Sequence, residues 1–341
     1  MQNCPRLGEK TKRGASVNQP IKNFSLWVDF IERDFLDSKF IELINEGEIN
    51  GATSNPAIFK NAFVSSNAYK DELALLKTQN LSAKQIYEKL AINDIKKAAK
   101  ILRPLYDAMN DGFVSLEIDP MLANNIEASI AEGIRLFEEI NEPNVMIKVP
   151  ATSSGYIVAE DLLRRNINVN VTLVFSEEQA KNICESIKKA DAKSAKCVIS
   201  VFVSRFDRLL NDKLSNEQKN TVGIYNAAKI YNLIENLKPK NTKTLFASTG
   251  VKGNDIPAEY YITELLAPNS VNTAPIDTIE AYKHSLLPKI PKLPLSEAQI
   301  ESFFEELSKK GIDIKETSNY LLNDGLKQFE TAFDEIIEIC R

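Results

Sequence analysis

Along the chain, short runs rich in Val, Ile, Leu and Phe alternate with longer stretches whose apolar residues recur every three or four positions. The short runs are FSLWVD (24–29), INGATS (49–54), GFVSLEI (112–118), NVMIKV (144–149), NINVNVTLVF (166–175), CVISVFV (197–203), KTLFAS (243–248) and, more weakly, SVNTA (270–274). Runs of this length and composition read as strands, and eight of them separated by helix-length segments predict βα repetition around a parallel sheet. Helical signals fill the gaps. Ile92, Ile95, Ala99, Leu102, Leu105 and Met109 form one apolar stripe. Ser82-x-x-Gln85, Ser176-x-x-Gln179 and Ser296-x-x-Gln299 have the capping-box form, in which the serine accepts from the third backbone N–H and the glutamine reaches back. About 57 residues separate the second and third strands, which is room for several helices. The Lys-rich KNICESIKKADAKSAK reads as a solvated helix face. Beyond Ser296 the chain reads as helices to its end, packed across a barrel rim. With residues 1–22 a polar extension and no linker-like tract elsewhere, the expectation is one domain over 1–341, with 296–341 packed on it.

Strand side chains alternate between two faces, so residues of equal parity share one. In 166–175, Asn166, Asn168, Asn170 and Thr172 share a face, with Ile167, Val169, Val171 and Leu173 on the other. Phe113, Ser115 and Glu117 oppose Val114, Leu116 and Ile118, and Val198, Ser200 and Phe202 oppose Ile199, Val201 and Val203. Lys148 shares a face with Met146, opposite Ile147 and Val149. Helices cover the outside of a parallel barrel, so the apolar set points outward and the polar set lines the lumen. Asp29, Asn55, Glu117, Lys148, Asn170, Thr172, Ser200 and Ser248 all end an apolar run or closely follow one. That is the C-terminal mouth, where barrel enzymes place their chemistry.

Composition narrows the class. The chain of 341 residues is 43% hydrophobic and 26% charged, with a net charge of −5. This is an ordinary globular balance that argues against a nucleic-acid or anionic-membrane partner. No apolar run reaches the roughly 18 residues of a membrane span, and no secretory h-region opens the chain, so a cytoplasmic protein is expected. Cys4, Cys184, Cys197 and Cys340 are scattered and read as free thiols. The one histidine, His284, falls in the Pro-rich stretch KHSLLPKIPKLP, which looks like a connector. Histidine-dependent triads and zinc sites therefore lack their residues, and neither GxGxxG nor GxxxxGK[ST] occurs.

Lys148 stands out, because lysine is among the residues least often buried. A desolvated lysine shifts toward its neutral, nucleophilic form. Next to carboxylates and amides it is equipped for Schiff-base chemistry on a carbonyl substrate. The competing reading is a structural ion pair with Glu117. Arg205 and Asp207 pose the same choice between a site and a structural pair.

The segments WVDF, GATSNPAIF, VSLEIDP, MIKVPAT, NVNVTLVFS, ISVFVSRFD, FASTGVK and NTAPIDTIEAY, in this order, resemble the transaldolases over nearly all of the chain beyond residue 24. The resemblance implies an (α/β)8 TIM barrel with extra helices. The implied activity moves a dihydroxyacetone unit from sedoheptulose 7-phosphate or fructose 6-phosphate to glyceraldehyde 3-phosphate or erythrose 4-phosphate. It implies no metal and no organic cofactor; a monomer or homodimer is expected. Carried over by motif, Lys148 resembles the Schiff-base lysine and Asp29 the carboxylate that moves the proton of the hydroxyl flanking the cleaved bond. Glu117 and Thr172 resemble the pair that holds a proton-shuttling water. Asn55, Asn170, Ser200 and Phe202 resemble substrate contacts, and Arg205, Ser248 and Lys252 the phosphate site. One position departs from the pattern. Gly250 stands where better-known members carry an arginine, and Lys252 is its expected substitute. In related aldolases that release dihydroxyacetone a tyrosine occupies the position of Phe202, which makes such an aldolase the alternative reading. A non-catalytic phosphosugar-binding barrel is a third.

Overall fold

The computed structural model describes residues 21–253 and 255–341. Most of the polar N-terminal segment, with Cys4, lies outside the described residues. Eight strands close into a barrel in chain order: β1 (Ser25–Val28), β2 (Gly51–Thr53), β3 (Phe113–Glu117), β4 (Val145–Pro150), β5 (Asn168–Val174), β6 (Cys197–Phe202), β7 (Thr242–Ala247) and β8 (Ser270–Ala274). Every neighbouring pair is parallel, including the closing pair β1 and β8. Helices lie between the strands, as the βα pattern requires. All three expected capping boxes form, opening helices Ala83–Asp107, Glu177–Ala190 and Glu297–Lys309. The long β2–β3 crossover holds three α-helices, Pro56–Ser65, Lys70–Lys77 and Ala83–Asp107. None of the described helices is long and apolar enough to cross a membrane.

The strand parity holds within the strands, with one break; Asn166, expected on the lumen face, precedes β5 with φ +61° and is exposed. Val114, Leu116, Ile147, Val149, Val169, Val171, Ile199 and Val201 join the large apolar cluster between sheet and helices. Trp27, Phe113, Met146, Val198, Phe202, Leu245 and Val271 form a second cluster inside the barrel. Leu173 was expected on the outer face but belongs to the inner cluster. The β5–β6 register shifts between Val171 and Val174, and Leu173 has a φ of +58°. A single left-handed residue breaks the two-residue alternation, so Val174 takes the outward place instead. Two smaller expectations also change. The helix ending at Asp107 stops short of Met109, which takes φ +57° and is 94% exposed instead of continuing the apolar stripe. His284 is the last residue of helix Ile276–His284, and the connector starts only after it.

The C-terminal helix, Ile314–Cys340, stands outside the eightfold repeat and brings Gln328 and Phe329 to the barrel mouth. It starts from Asp313, whose side chain caps the N–H groups of Lys315 and Glu316. Ser318 Oγ donates to the Phe175 carbonyl at 3.0 Å, tying the first turns of this helix to the end of β5.

Candidate active site

At the C-terminal ends of the strands a cavity of about 200 Å³ is lined by Asp29, Asn55, Lys148, Asn170, Thr172, Ser200, Phe202, Arg205 and Ser248, with Thr53 and Thr273 among the others. Nine of the eleven residues expected at a site therefore meet in one place. Glu117 and Lys252 do not line it.

The sheet register explains the grouping. Glu117 pairs with Lys148 across β3 and β4, and Lys148 with Asn170 across β4 and β5, so three polar side chains form a lateral row. Lys148 is 5% exposed, and its ammonium donates to the Ser54 carbonyl at 3.0 Å. Glu117 Oε2 is 3.7 Å away, beyond a good hydrogen bond, and has no other partner among the described residues. The two form an ion pair without a good hydrogen bond, which leaves the carboxylate oxygen open to a further donor. Thr172 Oγ1 is likewise buried without a partner. Burial pushes the Glu117 carboxyl up to about 7, with Lys148 opposing and the Asp29 charge assisting the rise. A carboxyl near 7 can both give and take a proton at neutral pH.

Asp29 accepts from Thr53 Oγ1 at 2.6 Å, and Thr53 is in turn 2.7 Å from Thr273 Oγ1. Burial raises the Asp29 carboxyl, while the Lys148 charge and the Thr53 hydrogen bond counter it. Ser200 Oγ donates to Asn170 Oδ1 at 2.6 Å, and Asn170 Nδ2 donates to Ser115 Oγ at 3.0 Å, which fixes which way the amide points. The neighbouring asparagines are structural. Asn168 holds the Pro143 and Val145 carbonyls and the Lys196 N–H, and Asn166 accepts from Ser194 N. Asn55 does two jobs: its Oδ1 caps helix Pro56–Ser65 through Ile58 N at 3.0 Å, and the residue also lines the cavity.

At the other side of the mouth, Arg205 lies over the Phe202 ring with its guanidinium carbon 5.1 Å from the centroid. Its Nη1 is buried without a partner among the described residues. Burial, helped by the Arg208 charge, lowers the guanidinium to about 10. Asp207 is not its mate: that carboxylate accepts from Gly223 N at 3.1 Å and from the Tyr261 hydroxyl at 2.8 Å. Ser248, at φ +56°, places its hydroxyl 3.1 Å from that of Ser204. A side chain at Gly250 has little room, since a Cβ there would stand 2.9 Å from Pro275 Cγ. Lys252 is exposed on the loop after β7. Sequence reasoning missed Thr53, Thr273, Ser204, Gln328 and Phe329. Thr273 was readable, being of the same parity as the inward Val271 in β8.

A parallel (α/β)8 barrel that gathers a buried lysine amine, two carboxylates and, among the described residues, an arginine without an ion-pair partner at one mouth has the equipment of barrel enzymes that act on carbonyl compounds. Residues 26–339 match the Transaldolase/Fructose-6-phosphate aldolase family, and the chain belongs to it. It is 47% identical over 332 residues to a protein named transaldolase from Campylobacter jejuni, covering 93% of this chain and 99% of that one. It is also 47% identical over 319 residues to a transaldolase from Helicobacter pylori, again with 93% and 99% covered. The protein is an enzyme, and these relatives place it among the transferases.

Proposed function

We propose that the enzyme is a transaldolase, passing a dihydroxyacetone unit between sugar phosphates through an imine on Lys148. The observation that carries this reading is the pairing of a buried amine with unpartnered acid–base groups. Lys148 and Thr172 line the same cavity, and Glu117 Oε2, 3.7 Å from the Lys148 amine, and Thr172 Oγ1 have no hydrogen-bond partner among the described residues. Two such oxygens suit a water that carries protons while the ketose carbonyl loses its oxygen and later regains it. The iminium then serves as the electron sink. Asp29 takes the proton from the hydroxyl next to the bond being cleaved, and an aldose phosphate leaves. The remaining fragment attacks the aldehyde carbon of a second aldose phosphate, Asp29 returns its proton to the new hydroxyl, and water frees the amine.

In this reading Asn55, Asn170 and Ser200 bind the sugar hydroxyls, and Arg205 with Ser248 binds phosphate; all five line the cavity. A buried guanidinium nitrogen without a partner favours an anion, and an acidic protein gains most from concentrating such a charge at one point. Lys252, outside the cavity, can at most meet a phosphate at the rim. Phe202 favours transfer over release. Its ring offers no hydroxyl to orient water, and it lines the cavity beside Ser200.

The test is to incubate the enzyme with fructose 6-phosphate, with and without erythrose 4-phosphate. Sedoheptulose 7-phosphate should form rapidly with the acceptor, and little dihydroxyacetone should form without it. Release as fast as transfer would make the enzyme an aldolase.

A further inference from the structure

Phe329 comes from the helix Ile314–Cys340, which no βα unit requires, yet its ring reaches the reacting end of the barrel. It is 8% exposed, lines the cavity, and its centroid lies 5.7 Å from Lys148 Nζ. The helix is pressed down one turn earlier by Gly325. A Cβ at that position would stand 2.9 Å from Leu173 Cδ2 and 3.1 Å from Arg205 Nη1. The left-handed Leu173 is what turns that side chain inward to meet the helix. Gln328, next to Phe329, sits at the cavity lip and donates to Asp324 at 2.6 Å. The helix thus puts an apolar ring over the amine and a polar amide at the entrance.

We infer that Phe329 is a specificity-determining residue: it roofs the amine so that the bound three-carbon fragment is passed to an aldehyde instead of being lost as free dihydroxyacetone. The inference rests on the Lys148 imine chemistry proposed above. After cleavage the fragment is an enamine with one nucleophilic carbon. In transfer, the electron pair on that carbon forms the new bond to the aldehyde carbon, and the aldehyde oxygen takes a proton from Asp29. In release, the same pair takes a proton derived from water. Both routes end with one water hydrolysing the iminium and returning the amine. They differ only in what the carbon bonds to, so the fate of the fragment depends on water and proton donors near it. A phenyl face supplies neither, and it attracts the cationic iminium that precedes and follows the enamine.

The test compares Phe329→Gln, which brings hydrogen-bonding groups under the roof, with Phe329→Leu, which stays apolar. Dihydroxyacetone release from fructose 6-phosphate alone is divided by the transfer rate with erythrose 4-phosphate. A ratio taken on active enzyme cancels any loss of folded protein. Phe329→Gln should raise the ratio about ten-fold, whereas Phe329→Leu should stay within about three-fold of wild type. Phe329→Asn, which opens space for water, must move in the same direction as Phe329→Gln and serves if that variant fails to fold. Equal falls in both rates at a constant ratio would overturn the inference, as would a rise in Phe329→Leu as large as in Phe329→Gln. Wild-type enzyme that neither transfers nor forms a reducible adduct would strike the Lys148 reading itself, and is distinguishable from either result.

Discussion

The barrel carries a lysine in its lumen at each end, and the two are treated in opposite ways. At the N-terminal end Lys243 donates to Asp111 at 2.8 Å and to Ser25 Oγ at 3.2 Å, while Trp27 Nε1 donates to the other Asp111 oxygen at 3.1 Å. The surrounding groups also pair, Asn23 with Asn269 at 2.7 Å and Lys196 with Asn241 at 3.3 Å. At the C-terminal end Lys148 is held by one carbonyl, with the Glu117 oxygen 3.7 Å away, and Glu117 Oε2, Thr172 Oγ1 and, across the mouth, Arg205 Nη1 are unsatisfied among the described residues. The cavity at the paired end is the larger, about 600 Å³ against about 200 Å³. Volume therefore does not locate the chemistry in this molecule. Buried polar groups are normally satisfied. At the N-terminal end the atoms left over include the amide oxygens of Asn50 and Asn144, whereas at the C-terminal end they are a carboxylate, a hydroxyl and a guanidinium, the groups that can handle protons and an anion.

The largest effect is expected from removing the proposed proton acceptor at the C-terminal mouth, Asp29. Asp29→Asn preserves shape and the hydrogen bond to Thr53 but cannot take the substrate proton. Turnover should fall by about 10²-fold or more while the borohydride-trapped adduct accumulates. A rate near wild type, or no adduct, would remove Asp29 from this role. A smaller effect separates the cations of the two ends. Arg205→Ala should weaken phosphorylated donors about ten- to a hundred-fold and leave unphosphorylated analogues nearly unaffected, as read from KM for both substrate types. Lys243→Met takes the cation from the Asp111 carboxylate and leaves it the Trp27 Nε1 donor, so urea unfolding should show a loss of roughly 3 kcal/mol, with turnover per folded molecule unchanged. Equal losses on both substrate types for Arg205→Ala, or a turnover defect in Lys243→Met, would erase the distinction.

Much of this was legible because strand periodicity is rigid. Once Val114, Ile147 and Val169 are assigned outward, Ser115, Lys148 and Asn170 have to face the lumen. The serine caps were equally readable, since a capping box is a local device that needs no tertiary partner. Register arguments fail where the backbone leaves the strand: Leu173 turned inward because of one left-handed φ that no side-chain pattern announces. They also fail for chain outside the repeat. Phe329 reaches Lys148 only through the packing of a helix that begins 40 residues after β8 ends, Ala274 to Ile314. Lys252 illustrates a different limit. A motif gives spacing along the chain, but Gly250 packed against Pro275 and the exposed loop beyond it set where that charge points.

Of these two lumen lysines, we propose that Lys148 forms the covalent intermediate and that Lys243 is only structural. Incubation with fructose 6-phosphate, reduction with borohydride and peptide mapping by mass spectrometry tests it directly. The account predicts a single reduced three-carbon adduct on Lys148, absent in Lys148→Met along with activity and retained in Lys243→Met. An adduct on Lys243 or any other lysine, or full activity in Lys148→Met, would contradict it.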